Sequence, residues 1–341
     1  YGRNFKIYSI SEITIESSLS FKKILVKSGF LRNLLIYHPD NMSYAADVIE
    51  EFLRKKKIKY KNKVIKFLLG SCYKKEIFKE ILEYLKKDEV IRKIYAGEEQ
   101  RNRVTSRINE ILSDENKLKD IHEKWIKIAN LFREEGRTRL SNIIEDICIN
   151  RKIIVIDLSK ESAGDIMWND SIKAIILNDI IESLTNKGAE LYKQGTINLN
   201  LLIVIDEAHR YAPRETPEDE DLKVLKQTLI DAIRTTRKYG LGWMFISQTL
   251  ASLDREIIEQ LRIYFFGFGL SWGSELRALK EIIGGAENEV FIRLYQSFKD
   301  PQTSAMFKKR EHPFMVYGPV SPLSTAGTPL FFTALDYYEE F

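Results

Sequence analysis

No GxxxxGK[ST] pattern, the glycine-rich loop that cradles nucleotide phosphates on backbone N–H groups, occurs anywhere in these 341 residues. Gly267, Gly269 and the pair Gly284–Gly285 lack the lysine and the strand-to-helix setting that such a loop needs. Cysteine is scarce too. Cys72 and Cys148 have no metal-ligand spacing, so a reducing, cytoplasmic environment is expected. No apolar run reaches the length of a membrane span, and no signal peptide is recognisable. Proline is absent and glycine sparse from 43 to 150. The chain does not begin with Met, and Tyr1–Gly2–Arg3 reads as the start of a fragment.

Charge is not lacking but unevenly placed. The net charge is +4, yet 41–140 holds 25 Lys+Arg against 17 Asp+Glu, a net of +8. The remainder carries 28 against 32, a net of −4. A basic half beside an acidic half is compatible with a polyanion partner, and equally with a lysine-rich, solvated helical surface. The length suits one large domain or two ordinary ones.

The stretch around which the rest is organised is Leu201–Leu202–Ile203–Val204–Ile205–Asp206–Glu207–Ala208–His209. Five apolar residues without alternation predict a strand buried on both faces of a parallel sheet. Such strands deliver function at their carboxyl ends, where Asp206 and Glu207 stand. This is the shape of a Walker B element, with Asp206 as the Mg²⁺ carboxylate and Glu207 as the group that polarises an attacking water.

Alternation from 4 to 15 predicts one or two short strands. The segment 21–28 is ambiguous between helix and strand, and 38–41 (HPDN) reads as a turn cluster. Apolar residues at helical spacing then predict three to five helices across 43–150. From Arg151 the character changes. Strands are expected at 153–159, 201–205, 243–248, 263–268, 304–307 and 314–317. Helices are expected at Asp170–Lys193, 222–239, 254–261, 274–283 and 289–297. Strands alternating with helices give an α/β fold with a mostly parallel sheet. The expected organisation is an N-terminal part of the core at 1–42, a helical insertion subdomain at 43–150, the core with its functional residues at 151–318, and a tail at 319–341.

Nucleotide hydrolysis needs a phosphate cradle, a Mg²⁺ carboxylate, a water-orienting group and a positive charge for the transition state. Asp206 and Glu207 supply the second and third. Gln248, at the end of the next strand, is placed to touch a γ-phosphate or the attacking water; the alternative is an ordinary polar residue at a helix start. Arg234 and Arg237, three apart, share a helix face. Either suits an arginine finger supplied to a neighbouring subunit, Arg237 being favoured; surface salt bridging is the alternative. The cradle is expected to lie before Tyr1.

The segments LLIVIDEAHRYAP (201–213) and RTTRKYGLGWMFISQTLASLDREII (234–258), preceded by IIVIDLS (153–159), resemble the HerA family of the HerA/FtsK translocases. That family places a Tyr shortly after its P-loop, and Tyr1 matches it; PLSTAGTPLFF (322–332) resembles the family's C-terminal segment, which reaches a neighbouring subunit. The resemblance implies a RecA-like P-loop NTPase core, ATP and Mg²⁺ as cofactors, and a homo-hexameric ring that moves double-stranded DNA. It implies a NurA-like nuclease or another effector as partner, in DNA end processing or anti-phage defence, and no membrane. It also carries the roles of Asp206, Glu207, Gln248, Arg234 and Arg237 onto these positions. The absent Walker A loop is the departure. A superfamily-two helicase would need a Ser-Ala-Thr motif and a paired-arginine motif, neither of which is present. A conjugation- or secretion-type coupling ATPase and a non-catalytic ring-forming scaffold stay open. DNA contacts are expected near Lys160 or in 54–66, rather than in the acidic loop 214–221.

Overall fold

The computed structural model describes residues 5–55, 58–60, 63–65, 69–195, 199–284, 289–301, 312–321 and 327–334. The fold is mixed α/β, built from short parallel strand pairs among helices. The chain divides into two compact units, 1–199 and 200–341.

In the first unit β1 (Phe5–Ser9) pairs in parallel with β6 (Ile153–Asp157), and β2 (Ile13–Thr14) with β5 (Thr138–Arg139). β3 (Ile58–Tyr60) and β4 (Lys63–Ile65) form an antiparallel hairpin. The helices are α1 (Ser18–Lys27), α2 (Pro39–Lys55), α3 (Lys75–Leu85), α4 (Asp88–Ile94), α5 (Glu98–Ser113), α6 (Glu115–Ala129), α7 (Leu140–Cys148), the short α8 (Lys160–Ala163) and α9 (Asp170–Lys193). Local chemistry starts them. Ser17, Asp114 and Asn169 accept backbone N–H bonds in the first turns of α1, α6 and α9. The ambiguous segment 21–28 is helical, since Ser17 caps it and Phe21, Ile24 and Leu25 fall on one buried face. The expected turn at 38–41 is instead the start of α2: proline at a first helical position lacks an N–H that would be unpaired anyway, and Asp40 suits the helix dipole. Buried aromatic rings centre the core, with Trp125 stacked on Phe78 at 5.3 Å and Phe21 edge-on to Phe132 at 5.1 Å.

In the second unit β7 (Leu201–Ile205) pairs in parallel with β8 (Leu241–Phe245). α10 (Glu220–Thr235) lies between them in sequence, and α11 (Arg255–Gln260) follows. β9 (Tyr264–Phe266), β10 (His312–Tyr317) and β11 (Leu330–Ala334) form an antiparallel sheet in the order β11-β10-β9. α12 (Gly273–Ile283) and α13 (Glu289–Gln296) pack a core of Phe266, Leu279, Ile283, Ile292, Tyr295 and Met315. Five residues of the tail thus join their own chain's sheet.

Two further expectations need correction. β7 is not buried on both faces: Leu202 is 58% and Val204 51% exposed, and the parallel partner β8 leaves Met244 exposed beside Val204. An unbroken apolar run is the composition of a two-sided strand, but only one face of this pair is packed. The strand expected over 243–248 ends at Phe245, leaving Gln248 in the loop beyond it. The strand expected at 304–307 lies outside the described residues.

Candidate nucleotide-hydrolysis site

The carboxyl ends of β7 and β8 are locked together in register. Ile205 pairs with Phe245, Ile246 N–H donates to Ile205 O at 2.9 Å, and Ala208 N–H donates to Ile246 O at 2.9 Å. The chain leaving β7 therefore turns at once. Glu207 adopts a left-handed conformation, φ 50° and ψ 41°, at the head of a single 3₁₀ turn, Ala208–Arg210. Such backbone is uncommon outside glycine and persists only where its surroundings hold it. Here the hold is the Ala208–Ile246 bond together with Asp206 Oδ1, which accepts Glu207 N–H at 2.9 Å.

The turn brings three of the expected residues together. Gln248 Nε2 donates to Glu207 Oε1 at 2.6 Å, while Asp206 stands exposed on the same strand end. Gln248 reaches Glu207 because its loop is stitched down: Leu250 N–H and Ala251 N–H both donate to Glu275 Oε2, at 2.7 and 3.1 Å, in the first turn of α12. On the other flank, Pro213 bridges Leu253, and Lys226 ties Pro213 O to Asp254 at 2.7 Å in a largely buried ion pair.

Two residues beyond the motif reading join the cluster. His209 Nδ1 lies 3.1 Å from Ser247 Oγ and 3.5 Å from Glu207 Oε2. The sequence offers a signal for His209 in the order Asp-Glu-Ala-His, but none for its pairing with a serine 38 residues away.

Arg234 and Arg237 are not brought to this cluster. Both precede β8, so they stand at the opposite end of the β7–β8 pair, about 16 Å away at the usual rise per strand residue. Arg234 Nη2 pairs with Glu256 at 2.6 Å. Arg237 is exposed and has no ion-pair partner among the described residues. Its backbone is well held. It sits in the 3₁₀ turn Thr236–Tyr239, where buried Thr236 accepts Trp243 Nε1–H at 2.9 Å and donates to Ala232 O. Gly240, at φ 77°, supplies the left-handed residue that redirects the chain into β8.

Among the described residues no group of three or more His, Cys, Asp or Glu is arranged to hold a metal. A Mg²⁺ bound through one carboxylate, phosphate oxygens and water needs no such group. Exposed Asp206 at a strand end fits that donor set. No described helix is long and apolar enough to cross a membrane. Of the expected DNA contacts, Lys160 opens α8 and is exposed, whereas the side chains of 55–66 lie outside the described residues.

No family model matches the chain, and no curated protein matches it. Among solved structures it is similar to the genome packaging NTPase B204 from Sulfolobus turreted icosahedral virus 2. In complex with ATP-gammaS that protein shares 13% identity over 55% of this chain and 69% of its own, with a TM-score of 0.33. The complex with AMPPCP gives 15% identity over 57% and 72%, with a TM-score of 0.35. The complex with sulfate gives 14% over 55% and 69%, at 0.34.

Proposed function

We propose that the chain is the core of an ATP-hydrolysing motor of the HerA/FtsK kind, which assembles as a hexameric ring and moves double-stranded DNA. One observation carries the reading: Asp206, Glu207 and Gln248 converge at the carboxyl ends of two adjacent parallel strands, with Gln248 Nε2 2.6 Å from Glu207 Oε1. In this reading Glu207 orients the attacking water and accepts its proton, and Gln248 fixes the carboxylate and reports what occupies the site. Asp206 holds Mg²⁺, which together with ATP would supply the phosphoryl group and the neutralisation of its charge. Arg237 acts in trans, since the length of β8 keeps it from its own chain's Glu207. The four-part organisation drawn from the sequence, with a tail reaching a neighbour and a nuclease or other effector as partner, belongs to the same reading.

The absence of a phosphate cradle from the 341 residues favours one second reading, a ring-forming scaffold without turnover. Steady-state ATP hydrolysis by the full-length protein, with and without duplex DNA and beside Glu207→Gln, separates them. DNA-stimulated turnover that Glu207→Gln abolishes is the expected result. A ring of the right mass that hydrolyses nothing would replace the motor with the scaffold.

A further inference from the structure

Ser247 Oγ has three polar neighbours, Thr249 O, Thr249 N–H and His209 Nδ1. A hydroxyl has a single proton, and this one goes to Thr249 O at 2.8 Å. The oxygen accepts Thr249 N–H at 3.3 Å. The remaining neighbour is His209 Nδ1 at 3.1 Å; with the hydroxyl proton on Thr249 O, the imidazole donates to Ser247 from Nδ1, and that tautomer is part of the inference below. His209 Nδ1 also lies 3.5 Å from Glu207 Oε2, longer than an ordinary hydrogen bond but close enough for the ring to face that carboxylate oxygen. Glu207 Oε1 is meanwhile taken by Gln248, the residue after Ser247. The loop 247–251 thus grips Glu207 twice, directly through Gln248 and indirectly through Ser247 and His209. Its far end is fixed by Glu275 to α12.

We infer that His209 is a positioning residue for Glu207: held by Ser247 through Nδ1, its ring sits 3.5 Å from Glu207 Oε2 and so ties the catalytic carboxylate to the loop 247–251 and, through Glu275, to α12. The inference rests on the hydrolysis reading above and adds to it a mechanical link. Glu207 stands on a left-handed backbone, and its side chain is 34% exposed. Two polar contacts on its two oxygens fix its plane, where one would leave it free to swing. A misplaced base lowers the rate of the chemical step while leaving nucleotide binding largely alone.

The test compares wild type with His209→Ala, His209→Asn, Ser247→Ala and Glu207→Gln in the full-length protein. His209→Ala is expected to lower kcat about tenfold or more, with KM for ATP held within about twofold. His209→Asn should restore most of that loss, because an asparagine amide N–H reaches the place of Nδ1. Ser247→Ala should lower kcat as well, and its effect should not multiply with that of His209→Ala, the two acting through one contact. A second measurement does not depend on turnover: ¹⁵N chemical shifts of the His209 ring should report the Nδ1–H tautomer in wild type and its loss in Ser247→Ala. An Nε2–H tautomer in wild type, or a His209→Ala enzyme with unaltered kcat while Glu207→Gln is dead, overturns the positioning role and leaves the hydrolysis reading intact. Wild type without turnover overturns both.

Discussion

Glu207 and Arg237 illustrate how little of a residue's role lies in its identity alone. Glu207→Gln keeps the shape and the Gln248 contact but cannot take a proton. Turnover should fall below detection while a fluorescent ATP analogue still binds; hydrolysis surviving in the variant would remove Glu207 from the reaction. The two arginines differ in what already occupies them. Arg234 is engaged with Glu256 on the surface, a pair worth about 0.2–1 kcal/mol. Arg237 is exposed, without an ion-pair partner among the described residues, on a turn fixed by buried Thr236. Arg237→Ala should therefore lower hydrolysis by about 100-fold or more with the ring intact by mass, and Arg234→Ala far less. Equal losses in both variants would show that the ion pair does not distinguish them, and a lost ring would make Arg237 structural.

At the scale of the element, Asp179 on α9 is the residue out of keeping with its surroundings. Its carboxyl is pushed up to about 6 by burial, with Glu182 adding to the shift and a hydrogen bond from Ser20 of α1 and the charge of Lys23 opposing it. The folded carboxyl holds its proton more tightly than the unfolded one. Its contribution is present in full below the ordinary carboxylate range and is lost as the pH rises through about 6. Asp179→Asn should then be more stable than wild type above that pH, by about 1–3 kcal/mol, and the gap should close near pH 4. Denaturant titrations at both pH values read this directly; parallel curves would place Asp179 in water. Tyr295 makes a second prediction. Fully buried, it donates to Gly267 O at 2.5 Å and accepts Leu270 N–H at 3.0 Å. Tyr295→Phe leaves both backbone groups unpaired and should cost about 1–3 kcal/mol by the same titration.

Elements such as α9 and β7 were also those most legible in the sequence. Asp170 to Lys193 carries an asparagine cap and a helical apolar stripe, and the helix has those limits. The hairpin β3–β4 was not read from the sequence: Ile58 and Tyr60 alternate with lysines, but each strand has only three residues and lies within a span read as helical. The pairing of tail residues Leu330–Ala334 with β10 is long-range and left no local trace. The site divides in the same way. Asp206, Glu207 and Gln248 could be read from strand-end chemistry, whereas the link from His209 to Ser247 follows from the register of β7 against β8 and from nothing in either segment alone.

For the whole molecule, the proposal requires that duplex DNA be held by its phosphates. Affinity should then fall linearly on a log–log plot against salt and differ little between unrelated duplexes. A strong sequence preference with a shallow salt slope would point to base-edge contacts and away from a motor. The backbone of Glu207 carries a consequence of another kind. A non-glycine residue at φ 50° costs about 1 kcal/mol that glycine would not incur. Glu207→Gly should melt higher than wild type, so a library screened for heat resistance alone would discard this glutamate early. Were the position to keep its glutamate through long divergence, that persistence would measure how strongly selection for work outweighs the drift toward a more restful fold.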